Sequence, residues 1–197
     1  MNDILAFIHI KKTGGISLQS VLAKQYGKKF FGGHIHSDLR KVAAVNPIKK
    51  DQLHKLPDGS CICKHWTYDD YAPIHDCARF VTILREPVDR INSHYNFYLN
   101  HFPKGQSFNE YVHDPANINI YSRFLPDDPS LLSEIYLFHR FQDSINRSKI
   151  INQCKLPHTN ETIYRYKINQ DEIALFRDLN QKDLELYEKY LIRGLYE

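Results

Sequence analysis

The sequence predicts an α/β fold, with a mostly parallel sheet flanked by helices in one domain covering residues 1–197. Two observations carry this. Short apolar, β-prone runs alternate with stretches of helical periodicity, and the 197 residues suit one domain rather than two. Hydrophobic residues at 42% and charged residues at 25% are ordinary globular values, which excludes a disordered, collagen-like or coiled-coil chain.

The elements follow in order. Ile4 to Ile10 is an apolar run bounded by charge and reads as a buried strand. Thr13-Gly14-Gly15 breaks it, and Ile16, Leu18, Val21 and Leu22 then recur at helical spacing up to Gly27. Residues 30–58 read as loops around a short helix near 37–45. Ser60 to His65 is a second strand, and Arg79 to Arg85 is the strongest one. Pro87 stands at the N1 position of a helix carrying Ile91, Tyr95, Tyr98 and Leu99. Residues 101–130, rich in Pro, Asn and Asp, read as an excursion from the core. Glu134 to His139 reads as a strand, Ser144 to Cys154 as a helix, Ile163–Tyr166 as a short strand, and 170–193 as one or two helices.

Composition narrows the function classes. Lys and Arg number 26 against 23 Asp and Glu, a net charge of +3, too slight to mark a nucleic-acid binder. No apolar run approaches the ~18 residues of a membrane span, and the first residues lack the features of a signal peptide. A cytoplasmic location follows as the expectation. Cys61, Cys63, Cys77 and Cys154 have no zinc-finger spacing and read as free thiols. No histidine pair has metal-site geometry, so no metal is expected.

The chemistry concentrates in two segments. In Phe7-Ile8-His9-Ile10-Lys11-Lys12-Thr13-Gly14-Gly15-Ile16-Ser17, a glycine pair lets the backbone turn sharply between strand and helix. The amides that follow favour an anion, Lys12 adds mobile charge, and Thr13 and Ser17 add hydroxyls. This is a phosphate cradle, but not a Walker A loop, because the lysines precede the glycines. In Leu84-Arg85-Glu86-Pro87-Val88-Asp89-Arg90-Ile91-Asn92-Ser93, Arg85 closes a strand and Ser93 lies two helical turns on. Together they can hold a second phosphate.

The two segments resemble the nucleotide signature of sulfotransferases that use 3′-phosphoadenosine 5′-phosphosulfate (PAPS). The first looks like their 5′-phosphosulfate loop, HIPKTGGTS, and the second like their 3′-phosphate motif, LRDPVxRxxSxY. The pair is more similar to the carbohydrate type, relatives of heparan sulfate 2-O-sulfotransferase, than to the steroid and phenol enzymes. Lys64-His65-Trp66-Thr67-Tyr68 resembles the family's GHxxY/F segment. Leu156-Pro157-His158-Thr159-Asn160-Glu161-Thr162 resembles its LPHxNxT loop, and Asp183-Leu184-Glu185-Leu186-Tyr187 its ending. Lys11, Glu86 and Lys64 depart from the usual proline, aspartate and glycine.

The resemblance implies a P-loop-like sheet, PAPS as sulfuryl donor, and a hydroxyl acceptor of the carbohydrate class. It implies that Lys12, Thr13, Gly14, Gly15, Ile16, Ser17, Arg85 and Ser93 bind the nucleotide. The chain shows no membrane anchor or stem, which points to a soluble bacterial or viral version. For catalysis, a histidine suits the base that takes the acceptor proton. His65 is preferred, because its strand should end beside the phosphate loop and the resemblance puts the base there. Lys12 is the electrophile for the leaving phosphate. His9 reads as core, and His34, His36, His94 and His101 as acceptor-side contacts. The basic residues Arg40, Lys41, Lys49, Lys50, Lys55 and Lys64 suit an acidic glycan, and the aromatic run 95–102 suits sugar rings. Two rival readings remain: a nucleotide or small-molecule kinase with an irregular phosphate loop, and a non-catalytic nucleotide-binding module.

Overall fold

The run Ile4–Ile8 is buried at every position, as a central strand covered on both faces must be. In the structure, a computed structural model describing residues 3–32, 46–157 and 166–196, this run is β1. The strands β2 (Phe30–Gly32), β3 (Cys61–Lys64), β4 (Ala78–Leu84) and β5 (Glu134–Leu137) complete a five-stranded sheet in the order β2-β3-β1-β4-β5. All four pairings are parallel, with Phe7 opposite Cys63 on one side and opposite Val81 on the other. The α/β class read from the sequence is the one the chain adopts.

The order of the strands positions the site. The chain leaves β1 for β2 at one edge, and leaves β4 for β5 at the other. Two adjacent strands whose connections diverge open a crevice at their C-terminal ends, where α/β sheets bind ligands.

Alternation along the strands supplies two cores. Leu5, Phe7, Cys61, Cys63, Val81 and Ile83 face α1 (Gly15–Tyr26) and α5 (Phe141–Arg147). Ile4, Ala6, Ile8, Ile62 and Phe80 face the opposite way, toward α4 (Ile120–Phe124) and α7 (Gln181–Tyr196). Each fully buried aliphatic side chain, such as Leu22, contributes about 1.5–3 kcal/mol. A third cluster joins α2 (Pro87–His101), α3 (Phe108–His113) and α6 (Gln170–Leu179) through Ile91, Tyr95, Phe108 and Phe176.

Several expectations need correction. Strand β2 was not anticipated, because three residues are too few to show a period. Residues 101–130 are no excursion: Phe108 and Tyr111 fill the third cluster, while Ile120, Tyr121 and Leu125 enter the main core. The helix expected over Ser144–Cys154 starts at Phe141 and ends at Arg147. There Ser148 takes extended geometry, and its hydroxyl donates to Glu134 and accepts from the amides of Ile150 and Ile151. The C-terminal segment is two helices, the first opened by a reciprocal cap between Asn169 and Glu172. The short helix near 37–45, His34, His36, Arg40, Lys41, and residues 158–165 lie outside the described residues. The four cysteines are free thiols. Among the described residues no helix is long and apolar enough to cross a membrane.

Candidate active site

The turn between β1 and α1 is built by backbone conformations that few residues tolerate. Lys12 has φ 68° and Gly14 has φ 91°. A Cβ at Gly14 would lie 2.9 Å from the ring of Phe138, and one at Gly15 would lie 2.1 Å from the ring of His9. Both positions therefore require glycine for space, and Gly14 for its dihedral as well. Thr13 is fully buried and its hydroxyl donates to the Ile10 carbonyl at 2.8 Å, so it shapes the turn. Helix α1 has no side-chain cap and no acidic residue in its first turn, which leaves the amide end of the dipole uncompensated. Ile16 adds an amide there. The Ser17 hydroxyl donates to the Pro157 carbonyl at 2.9 Å, which brings the Leu156-Pro157 segment against the start of α1.

Arg85 reaches this turn from the next strand. It stands just past β4, and its Nη1 donates to the Lys12 carbonyl at 3.1 Å while its guanidinium lies 4.4 Å from the centre of the Phe138 ring. The Tyr121 hydroxyl fixes the Arg85 backbone, accepting from its amide and donating to its carbonyl. Asp183, at the start of α7, in turn accepts from the amides of Tyr121 and Ser122 at 2.9 and 3.0 Å. Ser93 is buried on α2, two turns beyond Arg85. The Lys12 ammonium rests 4.5 Å from the centre of the Phe97 ring. Its pKa is pushed down to about 8, first by burial and then by the neighbouring charge of Arg85.

His65 extends the parallel ladder by a side-chain bond. The His9 amide donates to the Lys64 carbonyl at 3.1 Å, and the His65 Nδ1 meets the His9 carbonyl at 2.6 Å. A carbonyl only accepts, so Nδ1 carries the proton and the neutral ring keeps its lone pair on Nε2. The His65 side chain is exposed, whereas the His9 ring beside it is buried, with centroids 4.2 Å apart. Burial first, and His65 second, lower the His9 pKa to about 3, which keeps that ring neutral.

No family model fits the chain, and no curated protein is significantly similar to it. Lys12, Thr13, Gly14, Gly15, Ile16, Ser17 and Arg85 meet at the diverging ends of β1 and β4, and His65 stands at the end of β3 beside them. On α2, Phe97 is 45% exposed next to Lys12, and His94, one turn earlier, bonds Tyr111 through Nδ1 at 2.9 Å. The His94 pKa is lowered to about 3 by burial, then by Arg90, Lys11 and Lys12. Lys50 and Lys64 both approach the Trp66 ring, at 5.9 and 5.5 Å, so that part of the basic segment gathers on one aromatic. Among the described residues no group of three His, Cys, Asp or Glu is placed to hold a metal ion.

Phe138 and Tyr121 have no role in the sequence reading, His9 reads there only as core, and Phe97 only as part of the aromatic run 95–102. Each acts on a residue far away along the chain, and only the glycine pair gave a signal that something packs closely there.

Proposed function

We propose that this protein is a sulfotransferase that moves the sulfuryl group of PAPS to a hydroxyl acceptor, a carbohydrate being the class its motifs favour. The observation that carries the reading is the junction of the two phosphate-type segments, through the Arg85 guanidinium and the Lys12 carbonyl, beside an uncapped helix N-terminus. One anion on the α1 amides and Lys12, and a second on Arg85 and Ser93, suit a nucleotide phosphorylated at both the 5′ and the 3′ positions.

In this reading the His65 Nε2 takes the acceptor hydroxyl proton as the acceptor oxygen bonds to sulfur. The bond from sulfur to the bridging 5′-phosphate oxygen breaks, and its electron pair passes to that oxygen. The ammonium of Lys12 and the α1 amides stabilise the charge that develops there, and adenosine 3′,5′-bisphosphate leaves. The His65 side chain is exposed at the end of β3, and the His9 carbonyl holds the ring in the required tautomer.

Calorimetry in excess chelator tests the nucleotide half of this reading. Adenosine 3′,5′-bisphosphate should bind at least about tenfold more tightly than adenosine 5′-phosphate, the share of a charged hydrogen-bond pair. Binding only of a magnesium nucleoside triphosphate would overturn the reading in favour of a kinase.

A further inference from the structure

His9 is the one polar side chain at the end of an otherwise apolar strand, and it is buried to 7% exposure. Its ring is enclosed by three groups. Phe7 stacks on it at 5.3 Å, His65 lies 4.2 Å away at 31°, and Gly15, the first residue of α1, presses so closely that no Cβ would fit. One edge of the ring therefore touches the phosphate turn while its face touches the imidazole assigned as base. The His9 backbone adds a second restraint on the same imidazole, through the carbonyl that accepts from Nδ1.

We infer that His9 is a positioning residue that couples the phosphate turn to His65, so that an anion seated on the turn also fixes the direction of the Nε2 lone pair. The inference rests on the reading of His65 as the base. Gly15 and His9 meet without slack, so a shift of the turn on binding must move the His9 ring, and the ring must then move or hold His65. The His9 ring lies against the imidazole at 4.2 Å and so restrains its rotation. A misplacement of about 1 Å at a reacting group costs on the order of a hundredfold in rate.

The test uses the full chain and three variants. His9→Ala should lower kcat by about ten- to a hundredfold while leaving adenosine 3′,5′-bisphosphate affinity within about threefold. His9→Phe, which refills the wedge and keeps the carbonyl, should recover most of kcat. Gly15→Ala should lose thermal stability because its Cβ strikes the His9 ring, and Gly15→Ala combined with His9→Ala should lose less than the sum. Nitrogen-15 NMR of the histidine rings gives a reading independent of turnover. In the wild type His65 should be protonated on Nδ1, and adenosine 3′,5′-bisphosphate should shift its signals; in His9→Ala that shift should shrink while binding persists. Additive stability losses, or a His65 response to nucleotide unchanged by His9→Ala, would overturn the inference. Absence of nucleotide binding by the wild type would instead overturn the sulfotransferase reading. The wedge would then be judged by the stability cycle and by the ligand-free His65 signals, which His9→Ala must alter.

Discussion

The guanidinium of Arg85 donates to the carbonyl of Lys12 at 3.1 Å, tying the end of β4 to the turn that leaves β1. One side chain thus has two tasks. It holds the backbone that carries the candidate electrophile, and in the proposed reading it presents charge to a second phosphate.

Arg85→Ala should weaken adenosine 5′-phosphate several-fold, because the turn loses its clamp. It should weaken adenosine 3′,5′-bisphosphate by about ten- to a hundredfold more, the contribution of a charge-assisted hydrogen bond of about 1.5–3 kcal/mol. Titration calorimetry with both ligands separates the two tasks. Equal losses would assign Arg85 to the turn alone.

Lys12 should give the donor reaction a basic limb. With its pKa lowered to about 8, the free protein loses this charge as pH rises through that value, and kcat/KM for PAPS should fall tenfold per pH unit above it. Bound anion favours the charged form, so the limb in kcat should lie at higher pH. Lys12→Arg should remove the limb up to pH 10.

The same shift has a cost in stability. Between about 8 and the ordinary lysine value the unfolded chain holds more protons than the folded one, so stability rises with pH across that window. Below it the charged, half-buried ammonium destabilises the fold. Lys12→Met should therefore raise the melting temperature at pH 7 by about 2–4 °C, corresponding to roughly 1 kcal/mol after discounting for its exposure. Calorimetric melting would show no gain, or a loss, if the ammonium were favourably held.

Gly14→Ala should cost more than Gly27→Ala. Both have positive φ, at 91° and 52°, but a Cβ meets Phe138 at 2.9 Å at the first and nothing within 4 Å at the second. Backbone strain alone costs about 1–3 kcal/mol, and the clash adds about 1–3 kcal/mol at Gly14. Chemical denaturation of the two variants measures the difference, which the close packing of Phe138 requires to be positive.

The parts of this architecture legible in the sequence were those written in local pattern. Ile4–Ile8 and Ala78–Leu84 stand out as apolar runs, each ended by a turn signal, and Pro87 marks the start of α2. These are also the segments that bring Lys12, Gly14, Gly15 and Arg85 together, so the residues of the proposed phosphate cradle are legible in the sequence. Strand β2 was not, since Phe30–Gly32 is held by pairing with β3 rather than by any pattern of its own. Nor was the role of residues 101–130, because Tyr121 looks like a loop residue until its hydroxyl is seen to hold the Arg85 backbone. Pro and Asn mark turns; they do not say that the short helices between them are buried.

Tyr121→Phe follows from that contact. Removing a buried hydroxyl that accepts from one backbone group and donates to another should cost about 1–3 kcal/mol of stability. It should also lower adenosine 3′,5′-bisphosphate affinity several-fold by loosening Arg85. Retained affinity in a destabilised variant would mean that Arg85 is held well enough by the Lys12 carbonyl.

The central claim is tested most directly by following radiolabelled sulfuryl transfer from PAPS to a panel of glycans, phenols and small alcohols in excess chelator, with wild type and His65→Ala side by side. The account predicts labelled product from the wild type, and a kcat about 10²–10⁴ lower in His65→Ala at nearly unchanged donor affinity. No labelled product from a wild type that binds the nucleotide, or a His65→Ala protein that keeps most of its kcat, would contradict it.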